Sequence, residues 1–125
     1  MNNTQKIILL SAISLSGISK AQQSQFFADK EQYRFNLAEN LYQNKIYAAS
    51  QYEFSRQYFY NQNLENSKKE TALFFSNVIG VILGQNYAEQ GLDNFMKEYP
   101  KSALFAQANL PLADYYLAKK DFPKA

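Results

Sequence analysis

Cysteine, histidine and tryptophan are absent from the 125 residues, and glycine (four) and proline (three) are scarce. Without a thiol or an imidazole there is no thiolate nucleophile, no disulfide, no histidine base and no usual zinc or copper ligand set. The shortage of Gly and Pro argues against a turn-rich all-β protein. The glycines stand isolated at 17, 80, 84 and 91, so no phosphate-cradling loop is present. No cofactor and no metal are expected. Carboxylates remain as acid–base candidates, in the pairs Glu39 with Glu53 and Glu89 with Asp93. A glycosidase needs two carboxylates roughly 5–10 Å apart in a cleft, one with a raised pKa. Here the acids have Gln, Asn and Lys neighbours, as solvated helix faces do, so no catalytic residue is assigned and the chain is expected not to be an enzyme.

Aromatic and amide residues are plentiful instead. Tyr and Phe contribute ten each, Asn and Gln twelve each. The length suits one domain. The opening stretch has the layout of an export signal: Lys6, an apolar run over 7–15, and small residues at Ser19 and Ala21 where a signal peptidase reads. A membrane anchor needs roughly 20 apolar residues, and Ser, Gly and Lys interrupt this run early. Residues 1–21 are therefore expected to be a signal peptide, leaving a mature chain from Gln22 that is exported, soluble and periplasmic, with secretion as second choice. No Cys lies near the cleavage point to carry a lipid. Loss of Lys6 and Lys20 leaves eleven basic against eleven acidic residues. That neutrality gives no reason to expect nucleic acid or an anionic membrane as partner.

The mature chain reads as helical almost throughout. Phe27, Glu31 and Arg34 open a segment in which Phe35, Ala38 and Leu41/Tyr42 recur three and four apart, until Asn44-Lys45 breaks it. A second helix is expected from Ile46 to about Tyr60. Ser67 and Glu70 have capping-box spacing at the head of a third, Lys68–Leu83, which is apolar nearly all round and so should be the most buried. Gly84 suits a left-handed cap. The fourth helix, Tyr87–Glu98, should stop before Pro100, which disfavours helical backbone at Tyr99. Ser102 should cap a fifth, Ala103–Lys119, in which Pro111 should introduce a kink or delay the start. Pro123 suits the first turn of a sixth. The basic groups Lys68-Lys69 and Lys119-Lys120 fall at helix ends and read as solvated turns.

Helix, turn, helix invites a search for a period. Leu37, Ala38, Leu41, Ser50 and Phe54 set a pattern of large, small, large, then small and large in the next helix. Phase-matched to it are Phe75, Ser76, Ile79, Ala88 and Leu92, followed by Phe95 and the closing Pro100, and then Leu112, Ala113, Tyr116 and Ala125. Tyr47 and Phe122 open the partner helices. The small first-helix residues 38, 76 and 113 are separated by 38 and 37. This pattern resembles the tetratricopeptide repeat family over essentially the whole mature chain. The stretch "YPKSALFAQANLPLADYYLAKKDFPKA" resembles the repeat junction of TolA-binding and outer-membrane assembly proteins. Departures are the missing tryptophan, with Arg34, Ala72 and Asn109 at its position, and Gln62 where the first unit would close with proline.

The resemblance implies an all-α fold, a right-handed superhelical array of antiparallel helix hairpins, with units at about 31–65, 68–101 and 103–125. It implies close helix crossings at the small residues, and a longer array of which this chain is the N-terminal part, since Ala125 would open a second helix. It implies a protein–protein interaction scaffold of the bacterial envelope that makes and breaks no bond. Partner segments would lie along first-helix residues on the concave face: Gln32, Phe35, Glu39, Tyr42 and Gln43, then Glu70, Leu73 and Asn77, then Gln107, Asp114 and Leu117. Two rivals stand beside it. One is a glycan-binding outer-membrane uptake component, since aromatic faces stack on sugars and Tyr33, Tyr42, Tyr58, Tyr60 and Tyr115 fill no repeat position. The other is a carboxylate hydrolase using Glu39 and Glu53.

Overall fold

The computed structural model describes residues 19–121, 123 and 124. Most of the expected signal peptide, 1–18, and the repeat positions Phe122 and Ala125 lie outside the described residues. Five helices follow one another: α1 (Lys20–Gln43), α2 (Tyr47–Tyr60), α3 (Asn66–Ile82), α4 (Ala88–Glu98) and α5 (Phe105–Ala118). No strand occurs among the described residues, and none of these helices is long and apolar enough to cross a membrane.

The chain divides into two units between Tyr33 and Arg34. In the first, Ser19 and Gln22 form a reciprocal capping box. The Gln22 N–H donates to Ser19 Oγ and the Ser19 N–H to Gln22 Oε1, both at 3.2 Å. The residues expected to mark a cleavage site thus start a helix. Gln25 donates to Asp29 one turn on at 2.8 Å, and Phe26, Phe27 and Tyr33 are exposed.

The second unit holds the core. Helix α3 packs on α2, α4 and α5 and buries Ala72, Phe74, Phe75, Val78, Ile79, Gly80 and Val81, as its all-round apolar sequence leads one to expect. Aromatic rings run through the core from α1 to α5. Phe35 meets Phe54 edge-on at 5.8 Å, Phe54 stacks on Phe75 at 5.4 Å, and Phe74 touches Phe95 at 5.0 Å and Phe105 at 5.7 Å. Removing such a ring typically costs about 3–5 kcal/mol.

One backbone turn recurs three times. Lys45, Gly84 and Lys120 all have positive φ, 59°, 68° and 59°. In each case the next N–H reaches back five residues. Ile46 N–H donates to the Leu41 carbonyl at 2.9 Å, Gln85 to Gly80 at 2.8 Å and Asp121 to Tyr116 at 2.8 Å. The left-handed residue's own N–H reaches back three, Lys45 to Tyr42, Gly84 to Val81 and Lys120 to Leu117, at 2.9–3.0 Å. These are Schellman caps, and they close α1, α3 and α5 alike. The links after α2 and α4 are built otherwise. Asn61 Nδ2 donates to the buried Gln57 amide at 2.9 Å, and its Oδ1 accepts the Asn63 N–H at 3.2 Å. After α4 the chain turns at Tyr99-Pro100, as expected.

Several local expectations change. Ser67 does not cap α3, whose cap is Glu65 without a side-chain bond. The Glu70 carboxylate instead accepts a 2.6 Å bond from Ser102 Oγ, so a long-range partner outcompetes the local one. Helix α4 begins at Ala88, because Tyr87 is itself left-handed at φ 68°. Helix α5 starts at Phe105 and runs through Pro111. Ser102 Oγ accepts the Leu104 N–H at 3.4 Å, ahead of that start.

Candidate functional site

Of the small residues, Ala38 is fully buried, and its carbonyl accepts a 2.7 Å bond from the buried Ser50 hydroxyl of α2. That bond ties α1 to α2 where they cross, and Arg34 pairs with Glu53 nearby at 3.4 Å. Ser76 works differently. Its hydroxyl folds back onto the Ala72 carbonyl at 2.7 Å, Ser55 Oγ donates to it at 3.3 Å, and Gln51 Nε2 donates to its carbonyl at 3.0 Å. Ser76 therefore faces α2, the helix before it. The close approach inside the α3–α4 hairpin belongs to Gly80, where an added Cβ would lie 2.8 Å from Ala88 Cβ, and to Gly91, which is covered by Asn77. Counted from the Schellman residues, Asn77 takes the place that Ala38 and Ala113 hold, each seven before the turn. The expected register slips by one residue in this hairpin.

The other packing positions fall as follows. Phe54, Phe75, Ile79, Ala88 and Phe95 are buried, while Leu37, Leu41, Leu92, Leu112, Ala113 and Tyr116 are half-buried. The Tyr116 hydroxyl donates to Glu89 at 3.2 Å, and Lys124 donates to the same carboxylate at 3.1 Å. The Lys124 bond is the main reason Glu89 titrates below the usual carboxylate range; burial, and next to it Glu89, pushes Tyr116 up to about 12.

The residues carried over for partner binding differ in burial and in what they touch. Phe35 is a core residue, buried against Phe54. Tyr42 is half-buried between Tyr47 and Phe75, its hydroxyl buried without a hydrogen bond, and burial pushes its pKa up to about 12. Glu70 is taken by Ser102. Gln32 is exposed in the first unit, and Glu39 and Gln43 in the second. Gln107, Asp114 and Leu117 are exposed on α5. Leu73 and Asn77 point elsewhere, into a groove between α2 and the start of α4, with α3 as its floor.

That groove has a volume of about 250 Å³. Helix α2 contributes Gln51, Ser55, Tyr58 and Phe59, α3 contributes Leu73, Ser76 and Asn77, the α3–α4 turn contributes Gln85, Asn86 and Tyr87, and α4 contributes Ala88. None of these side chains is charged. Gln51 and Gln85 form a reciprocal amide pair across it, at 2.7 and 2.8 Å. Beyond the ridge of Gln85, Asn86 and Tyr87 lies a second hollow of about 500 Å³, to which α4 adds Glu89, Gln90 and Asp93 and α5 adds Tyr115 and Lys119. Tyr87 stands on the ridge, 88% exposed. Holding a non-glycine residue left-handed costs about 1–2 kcal/mol, so the fold keeps the Tyr87 backbone in place at some expense.

The groove escaped the sequence because its walls are far apart in the chain. Gln51 and Gln85 are 34 residues apart, and only the stacking of α3 on α2 brings them together. The one available signal was the excess of amides. Of the candidate carboxylates, Glu53 pairs with Arg34, and Glu89 accepts from Lys124 and Tyr116. Among the described residues no cluster of three or more acidic side chains is placed to hold a metal. Comparison with protein-family models, with curated proteins and with solved structures finds no match.

Proposed function

We propose that this chain is a non-enzymatic interaction scaffold, a right-handed array of helix hairpins of the tetratricopeptide type, exported to the bacterial periplasm, where it holds segments of other envelope proteins. The observation that carries this is the recurrence of one Schellman turn at Lys45, Gly84 and Lys120, alternating with unlike links after α2 and α4. Hairpins that share a turn and stack through α3 are what a repeat array requires, because a single hairpin cannot cover its own apolar face. The exposed first-helix residues Glu39, Gln43, Gln107, Asp114 and Leu117 are the positions where a partner segment would be held.

Site-directed photo-crosslinking in the producing cell tests this. A photoreactive residue at Glu39, Gln43, Asp114 or Leu117 is expected to give discrete adducts with an envelope protein, while one at Lys97 on α4 gives none. Adducts of equal yield at all five positions, or at none, would contradict the scaffold. Sequencing the N-terminus of the exported chain is expected to return Gln22 as its first residue; an intact Met1 in a cytoplasmic fraction would contradict export.

A further inference from the structure

Beyond that role, we propose that the uncharged groove between α2 and α4, continued over the Tyr87 ridge, is a binding site for a neutral oligosaccharide.

The composition of the walls sets the class of ligand. A charged ligand entering the α2–α4 groove would lose hydration and meet no opposite charge there. A purely apolar one would strand the amides of the walls. What fits is a molecule with hydrogen-bonding groups around its edge and apolar C–H faces. Asn86 has no side-chain hydrogen bond among the described residues and offers two N–H donors and a carbonyl, while Asn77, whose Oδ1 lies against Gly91, offers its N–H donors. The Gln51–Gln85 pair is already oriented. Gln51 uses both its N–H bonds, on Ser76 O and Gln85 Oε1, whereas Gln85 keeps one N–H and both oxygens keep a lone pair. Donor and acceptor stand side by side, which is what vicinal hydroxyls demand.

The aromatic rings sit where a pyranose needs them. Phe59 is 71% exposed and Tyr87 88% exposed, both at the margin of the groove and neither filling it. Amides set beside the apolar Leu73 and under an aromatic rim suit a ring-shaped ligand that has polar edges and C–H faces. Tyr87 also borders the second hollow, where Gln90 and Asp93 add acceptors. Two hollows joined by one ridge call for a chain of sugar units in place of a single one.

The test uses the full chain, labelled with ¹⁵N, and a panel of neutral probes: maltohexaose, cellohexaose, laminarihexaose, xylohexaose and chitohexaose. At least one is expected to shift the side-chain amide signals of Asn77, Gln85 and Asn86 in a saturable way, with an affinity unchanged when salt is raised from about 0.1 to about 0.5 M, since no charge is paired. Tyr87→Ala and, on a separate helix, Phe59→Ala should each weaken that binding roughly tenfold, the loss expected for one stacked ring. Far-UV circular dichroism checks that both variants fold. No response to any probe, a response that both folded variants retain, or a response only to a neutral Ser/Asn/Ala-rich dodecapeptide would each overturn the proposal. None of these would touch the crosslinking result, which reads positions outside the groove.

Discussion

In the α1–α2 hairpin the helices are tied at their crossing by a hydrogen bond, Ser50 to the Ala38 carbonyl. In the α3–α4 hairpin the same job falls to a missing side chain, Gly80 against Ala88. Both hairpins are joined through the same backbone turn, yet one places a left-handed lysine in it and the other a glycine. The difference teaches that the turn geometry, more than the identity of the residue at the crossing, is what repeats. A small residue is needed near each crossing, but its place drifts by up to a helical turn between hairpins.

The sharpest way to break the comparison is to fill the two crossings. Gly80→Leu should destabilise by about 3 kcal/mol, the upper part of the range for overpacking, because its first added carbon already collides with Ala88. Ala38→Leu should cost about 1–3 kcal/mol in the same urea-melt series. Equal midpoints for wild type and Gly80→Leu would mean that α3 and α4 do not touch there.

The turns give the next effect. Gly84→Ala should cost about 1–2 kcal/mol by forcing an alanine to left-handed φ, whereas Lys45→Gly and Lys120→Gly should each stabilise by about 0.5–1 kcal/mol by relieving it. Calorimetric melting of the three variants reads the sign directly. Next comes Ser50→Ala, at about 1 kcal/mol for one buried bond; Ala88→Ser should gain nothing comparable, since it faces Gly80.

The smallest effect is alkaline. Tyr42 and Tyr116 are both pushed up to about 12 by burial, from 10.0, so folding favours their neutral forms. Their contribution is complete below pH 10 and drains away as pH rises from there through about 12. Tyr42→Phe should leave neutral-pH stability nearly unchanged, its hydroxyl being buried without a partner, and should flatten the alkaline loss in melts taken across that window.

Much of the fold was legible in the sequence, because helix ends are local. Gly84 and Pro100 announce their turns, and the all-round apolar stretch of α3 announces a central helix. Lys45 and Lys120 did not announce theirs, since lysine has no preference for left-handed backbone and takes it only where the cap bonds outweigh the strain. Glu70 illustrates the opposite failure: correct local spacing with Ser67, overridden by Ser102 from a later turn. The surface was the least legible part. Phe35 has the spacing of an exposed residue as much as a buried one until its ring is seen against Phe54. Likewise nothing near Gln51 in the chain points to Gln85.

The recurring turn is most directly tested by triple-resonance NMR, reading φ at Lys45, Gly84 and Lys120 from scalar couplings and the exchange of the next amide in each case. Positive φ at all three, with slowly exchanging Ile46, Gln85 and Asp121 amides, is the expected result. Negative φ at either lysine with a freely exchanging amide after it would contradict the repeat.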